Sequence, residues 1–268
     1  MQRVNKLKSI AAAAALMAAF ASSATAGSIT VSGNDDYRAG LGGEFNVRAA
    51  DAGGAALLAS LTGYTISNGT TVGTANGTQM NAGFGGQIGF QTFCIEYNEN
   101  IALGGSYAAS ISGGSIYGGV AGGIDPDGAG GLPSTDLISV GTAYLYSQFA
   151  TGALAGYTYA NGAARAASAV MLQQAIWYLE DEITLGAAQK TANIFLQSAI
   201  TLFGDGTGVG VGGAKANNTI YSVKALNLGG SAPNQAQDQL IMVPDGGLTV
   251  TLLGLGLGGL ALLRRKSA

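Results

Sequence analysis

The sequence predicts an α+β fold: a β-sandwich or barrel with a three-helix insertion, flanked by an N-terminal signal segment and a C-terminal transmembrane helix. Three observations predict this arrangement. Short alternating apolar segments, typical of strands, lie near both ends of the central region. Between them, over about 136–203, apolar residues recur at helical spacing. Each end of the chain also carries an apolar run beside basic residues.

Residues 1–26 have the three parts of a removable signal peptide. The first part is basic, through Arg3, Lys6 and Lys8, and an apolar run over 10–21 follows it. Small residues at 24–26 form a cleavage site, so the mature chain is expected to begin at Gly27. The alternative, an N-terminal membrane helix, is disfavoured because spanning a bilayer takes about 17–25 residues.

The central region, residues 27–242, is predicted to be one domain. Alternation predicts strands at 28–32 and 44–48, a buried strand within 86–97 that ends at Cys94, and further sheet in 102–123, 219–226 and 239–243. Glycine, threonine and asparagine in the stretch 51–85 predict loops or irregular strands.

Three helices are predicted inside this domain, at 136–150, 163–182 and 185–203. In the second helix, Val170, Gln173 and Trp177 share one face by their spacing. That face carries the only tryptophan of the chain, so it is expected to point inward. The acidic run at 180–182 is expected to end this helix in solvent.

Composition excludes several kinds of function. The chain has no histidine, which removes the Ser-His-Asp triad, the Cys-His dyad and histidine metal sites. The segment 27–243 keeps six of the twelve Lys and Arg residues and fourteen of the fifteen Asp and Glu residues, a net charge of −8. A basic footprint for nucleic acid is therefore absent. We expect no cofactor, no metal and no turnover enzyme.

Cys94 is the single cysteine, so no internal disulfide can form and the thiol is either free or partnered with another group. It follows an aromatic residue, Phe93. Far along the chain, Gln173 lies in a motif of apolar residues formed by Leu172, Ala175, Ile176 and Trp177. Glu96 and Glu99, near Cys94, are candidates for a base or for a structural role.

These two motifs resemble the bacterial thioester domains, which pair an aromatic-Cys motif on sheet with a TQxAIW-like motif on a helix. Here Leu172 replaces the common Thr, and Ala175, Ile176 and Trp177 match. The resemblance implies an internal thioester between Cys94 and Gln173 that an amine-bearing partner opens, leaving a stable amide. The residues alone leave another interpretation open, in which Cys94 is a small buried apolar residue on a strand and Gln173 is a hydrogen-bonded side chain beside Trp177 on a helix.

Residues 243–268 form a tail in three parts. A turn-forming break comes first: Val243, Pro244, Asp245, Gly246 and Gly247. An apolar segment at 248–263 follows and is predicted to span a membrane, and Arg264, Arg265 and Lys266 end it. The break and the cationic end disfavour a buried helix of the preceding domain.

This tail resembles the PEP-CTERM sorting tails in their VPDSG variant, with Gly246 where that variant has Ser. The resemblance implies processing by an exosortase-like protease after transient anchoring in the membrane. The chain would then reach the cell surface or the extracellular space. Two functions follow as hypotheses: a covalent adhesion protein that uses the thioester, or a passive structural or binding component of an exopolysaccharide or biofilm matrix.

Overall fold

The computed structural model describes residues 27–39, 42–59, 89–97, 99–116, 135–160, 162–206, 212–229 and 235–243. This part of the chain combines helices and sheet, as the sequence predicted, and the sheet is antiparallel. The predicted signal segment 1–26 lies outside the described residues, as do residues 244–268 of the predicted tail.

The main sheet has six antiparallel strands: β1 (Gly27–Ala39), β2 (Gly42–Ala49), β3 (Gly89–Thr92), β4 (Ser106–Ser112), β7 (Val223–Gly229) and β8 (Gln235–Met242). Their order across the sheet is β3-β2-β1-β4-β7-β8. The two edge strands also meet. Ile95 N donates to Asp238 O at 3.0 Å and Leu240 N donates to Phe93 O at 3.0 Å, so the segment after β3 pairs with β8.

A smaller sheet and the helices occupy the rest of the described chain. The small sheet pairs β5 (Gly114–Ile116) with β6 (Thr135–Leu137). The helices are α1 (Ala52–Ala59), α2 (Val140–Ala150), α3 (Ala163–Leu179), α4 (Ala187–Ala192) and α5 (Ile194–Phe203). Helices α2 to α5 lie between β6 and β7 in the chain, where the sequence predicted three helices.

The predicted strands at 28–32 and 44–48 are confirmed within β1 and β2. The predicted strand ending at Cys94 is shorter than expected, since β3 ends at Thr92 and Cys94 makes an isolated bridge with Gln239. This bridge places Cys94 where the two edges of the sheet meet.

Helix α1 was not predicted, because Gly53 and Gly54 weaken its helical signal. The packing explains the glycines. A Cβ at Gly54 would lie 1.9 Å from Ser28 O, so only glycine allows α1 to approach β1 this closely. The Asp51 side chain accepts a hydrogen bond from Gly54 N at 2.7 Å and caps the start of the helix.

The predicted third helix, 185–203, is two helices. Asn193 adopts an extended conformation between α4 and α5, with φ −83° and ψ 98°. Its side chain accepts from Leu196 N at 3.0 Å and donates to Met171 O at 2.8 Å. Asn193 therefore caps α5 and ties it to α3, a tertiary constraint that helical spacing does not reveal.

We expect Asn193→Ala to lower the free energy of unfolding by about 1–2 kcal/mol, because the first turn of α5 loses its cap and Met171 O loses a donor. Urea denaturation measures this change. Thr191→Ala is the control, since its exposed hydroxyl bonds only back to Ala187 O within α4, and a change there should stay within about 0.5 kcal/mol. Equal effects of the two substitutions would contradict the capping role.

Helix α3 packs on β1 and β2 and forms the centre of the core. Its buried residues Leu172 and Ile176 lie in one apolar cluster with Val31 and Phe45 of the sheet. Phe149 of α2 joins the cluster through an edge-to-face contact with Phe93, with ring centroids 5.0 Å apart. Helix α3 is therefore held against β1 and β2, and α2 packs on the residue that precedes Cys94.

Among the described residues, no helix is long and apolar enough to cross a membrane. The predicted membrane-spanning segment, 248–263, lies in the part of the chain that is not described.

Candidate functional site

Cys94 lies at the junction of β3 and β8 and is fully buried. The backbone on both sides of it is fixed, because Phe93 O and Ile95 N both bond to β8. The thiol therefore has little freedom to move with its backbone, and its surroundings are set by the elements that pack on this junction.

Gln173 reaches this junction from the middle of α3 and is also fully buried. One turn later, Trp177 Nε1 donates to Glu96 O at 3.1 Å, and the Trp177 ring meets the Tyr97 ring edge to face at 4.9 Å. Trp177 thus ties the helix to the segment that follows Cys94. The predicted inward face is confirmed for Gln173 and Trp177 but not for Val170, which is only partly buried and lines an outer groove.

The Gln173 carboxamide is surrounded by four hydrogen bonds. Its Oε1 accepts from Gly43 N at 3.0 Å, from Cys94 N at 3.2 Å and from the Cys94 thiol at 3.2 Å. Its Nε2 donates to Cys94 O at 2.9 Å. The two sequence motifs are therefore in direct contact, and the amide oxygen faces two backbone N–H groups, the donor arrangement of an oxyanion hole.

Two glycines at the start of β2 make this contact possible. A Cβ at Gly42 would lie 2.2 Å from Trp177 Cζ2 and 2.8 Å from Cys94 Sγ. Gly43 has φ 143°, a backbone conformation that residues with side chains rarely adopt. Because both positions lack a side chain, the backbone of β2 can lie directly against the thiol and present its N–H to Gln173.

Burial raises the pKa of the Cys94 thiol well above its ordinary value, and the nearby charge of Glu96 raises it further. The thiol is therefore protonated at neutral pH. Forming the nucleophilic thiolate requires a proton acceptor inside the site.

Carboxyl groups lie beside this junction. Glu96 Oε2 accepts from Asp238 N at 2.8 Å, and burial followed by the charges of Asp238 and Glu99 raises the pKa of Glu96 well above its ordinary value. Burial likewise raises the pKa of Glu99 to about 7. In the described ranges, no group of three or more His, Cys, Asp or Glu side chains is arranged to hold a metal ion.

The expectation that the acidic run 180–182 ends in solvent was wrong for two of its residues. Glu180 and Glu182 are buried, and only Asp181 is partly exposed. Glu180 accepts from Ser139 N at 3.1 Å and from Ser139 Oγ at 2.7 Å, while Glu182 accepts from Tyr97 N at 2.7 Å. These carboxyl groups accept hydrogen bonds from buried donors at the start of α2 and in the segment after Cys94, which is why they turn inward.

The remaining motif residues belong to the apolar core that also includes Cys94. Phe93, Leu172, Ala175 and Ile176 are all buried in the apolar core. Gln174, the neighbour of Gln173, lies instead on the outer side of α3, in a groove of about 360 Å³ that also includes Met171 and Gln189. Of the two adjacent glutamines, only Gln173 therefore meets Cys94.

Sequence reasoning missed Gly42, Gly43 and the buried pair Glu44–Arg165 beside them. Glycine is so frequent here, at 45 of 268 residues, that the pair at 42–43 carries no distinct signal. Arg165, in contrast, did carry a signal in the sequence. A cation in the first turn of a helix is unfavourable next to the positive end of the helix dipole, so it calls for a nearby anion.

In a comparison with known families, residues 242–267 match the VPDSG-CTERM motif. No curated protein and no solved structure matches the chain. The matched tail is of the PEP-CTERM type. It indicates export and a surface or extracellular location, and it is consistent with processing by an exosortase.

Proposed function

We propose that this exported chain forms an internal thioester between Cys94 and Gln173 and uses it once, to bond covalently to an amine-bearing partner. The partner belongs to a cell surface or to an exopolysaccharide matrix, so the protein acts in adhesion rather than as a turnover enzyme. The supporting observation is that Gln173 Oε1 is in contact with the Cys94 thiol and with two backbone N–H groups.

The chemistry is an acyl transfer without oxidation or reduction. The Cys94 thiol gives up its proton, and its sulfur bonds to the Gln173 carbonyl carbon. The bond from that carbon to Nε2 then breaks, and the nitrogen leaves as ammonia, carrying the proton that the thiol lost. In the second stage, the nitrogen of a primary amine bonds to the same carbon and the bond from that carbon to the Cys94 sulfur breaks. The sulfur takes up a proton that the amine nitrogen loses, which restores the Cys94 thiol and leaves an amide.

The surroundings supply what this reaction needs. Amides are poor acyl donors, so the reacting groups must be held close together, as the 3.2 Å contact between Sγ and Oε1 holds them. Gly43 N–H and Cys94 N–H would stabilise the negative charge that develops on Oε1 in the tetrahedral intermediate. Burial of both side chains keeps water away from the acyl group once it has formed.

Mass spectrometry of the purified chain tests the proposal. We expect the mass to be about 17 Da below the sequence value for the same chain ends, because one ammonia has left. Methylamine should add its full mass to the thioester form and free a thiol that reacts with alkylating reagents. Gln173→Ala and Cys94→Ala should both show neither change.

Gln174→Ala is the matched control, since this neighbouring glutamine faces the outer groove, and it should keep the mass deficit. A wild-type chain with no deficit and a Cys94 thiol that titrates freely after unfolding would contradict the thioester. The exported protein would then be the passive structural or binding component of a matrix.

A further inference from the structure

Arg165, in the first turn of α3, is fully buried and paired with Glu44 of β2, which is equally buried. The guanidinium binds the carboxylate with two nitrogens: Nε donates to Oε2 at 2.9 Å, and Nη2 donates to Oε1. A two-point pair of this kind fixes both distance and orientation between the groups that it joins.

Neighbouring polar groups complete the network. Arg165 Nη2 donates to Gln91 Oε1 of β3 at 2.9 Å, and Nη1 donates to Tyr159 O at 2.7 Å. Tyr157 OH donates to Glu44 Oε2 at 2.7 Å. The ion pair thus joins the start of α3 to two neighbouring strands and to the segment before the helix.

A buried ion pair is weak evidence for stability, because removing two charges from water offsets much of their attraction. The proposed chemistry uses neither Arg165 nor Glu44. Their place in the fold provides a reason for them. Glu44 directly follows Gly43, whose N–H binds Gln173, and Arg165 lies two turns before Gln173 on the same helix.

We propose that the Arg165–Glu44 pair positions the Gly43 N–H on Gln173 Oε1, so that α3 and β2 are joined at two points with the reacting amide at one of them. Both are positioning residues, since they act on Gln173 through Gly43 and through α3. The effect of this pair on the reaction rests on the proposed thioester. The positioning itself does not, because the contact between Gly43 and Gln173 exists before any bond forms.

The test compares Glu44→Gln, which keeps the shape but removes the charge, with Tyr157→Phe, which removes only one hydrogen bond to Glu44. Both are made in the otherwise unchanged chain and again with Cys94→Ala, in which no thioester can form. Hydrogen exchange of the Gly43 amide, followed by NMR, reports its bond to Gln173. Thioester formation after refolding is timed by the loss of ammonia.

We expect the Gly43 amide to exchange at least about tenfold faster in Glu44→Gln, with a smaller change in Tyr157→Phe. Thioester formation should slow by up to about 100-fold in Glu44→Gln. Glu180→Gln is the matched control. It removes another buried carboxylate at the far end of α3, where the partner is Ser139, and should leave Gly43 exchange unchanged even if the melting temperature falls.

The outcomes separate the two proposals. Unchanged Gly43 exchange in Glu44→Gln with Cys94→Ala overturns the positioning role, whatever the thioester does. Equal acceleration in Glu180→Gln also overturns it, since the effect would then reflect general loosening of the helix. If Gly43 exchange is faster only in Glu44→Gln, and the wild-type chain never loses ammonia, the positioning role is upheld and the thioester is refuted.

Discussion

Gly42→Ala is expected to block thioester formation. The new Cβ would lie 2.2 Å from Trp177 Cζ2, 2.5 Å from Trp177 Cη2 and 2.8 Å from Cys94 Sγ. The indole is held by its bond to Glu96 O, and the backbone on both sides of the thiol is bonded to β8, so neither group can move easily.

Overpacking of this kind costs about 1–3 kcal/mol of stability. The effect on the reaction should be larger, because a displacement of about 1 Å in a positioned group can cost about 100-fold in rate. Intact mass gives the fraction of chains that have lost ammonia, and thermal unfolding gives the stability. Gly113→Ala is the control, since its Cβ would meet only Leu137 Cδ2 at 3.4 Å. A full mass deficit in Gly42→Ala would show that the close approach of β2 is not needed.

The protein is expected to lose stability as the pH rises from about 4 toward about 8. Burial raises the pKa of Asp136 to about 8, of Glu180 to about 7 and of Asp238 to about 6. The charges of Glu180, Glu182 and Asp181 raise the Asp136 pKa further. The folded chain therefore holds protons that the unfolded chain, with carboxyl pKa values near about 4, has already released.

The sign of the effect follows from this difference. Where the folded state binds more protons, the free energy of unfolding falls as pH rises. The stability contributed by these protonated carboxyls is complete below about pH 4. It is lost as the pH rises through their pKa values in the folded state, the highest of which is about 8. We expect the melting temperature at pH 8 to be at least about 5 °C below that at pH 5.

Asp136→Asn tests the assignment, because an amide cannot ionise. It should raise the melting temperature at pH 8 and flatten the pH dependence. Calorimetry across this range measures both. A wild-type melting temperature that is flat or rises between pH 5 and pH 8 would show that these carboxyls are ionised in the folded state without penalty.

The sequence predicts the parts of this fold that rest on periodicity. Strands β1 and β2 alternate clearly, and the long apolar pattern of α3 places Gln173 and Trp177 on its inner face. Periodicity does not show tertiary contacts. The break at Asn193 depends on a bond to Met171 O, and the close approach of α1 to β1 depends on the backbone of Ser28.

The candidate site likewise has residues that the sequence can predict and contacts that it cannot. Cys94 and Gln173 are distinctive by residue type and motif, so a sequence can nominate them. The donor at Gly43 is a backbone group, and every residue except proline has one, so its identity carries no information about its role. The inward turn of Glu180 depends on Ser139, which is distant in the chain and has no local signature.

The two backbone donors to Gln173 Oε1 also affect how the chain can change over generations. A donor that belongs to the main chain survives every side-chain replacement except proline, so mutation can hardly delete it. Mutation can change the shape of the backbone and of the side chains around these donors, and Gly42 and Gly43 are positions where that shape is tightly constrained. A search for distant relatives with the same arrangement should therefore weigh a pair of glycines opening a strand upstream of the cysteine as heavily as the cysteine and glutamine motifs themselves.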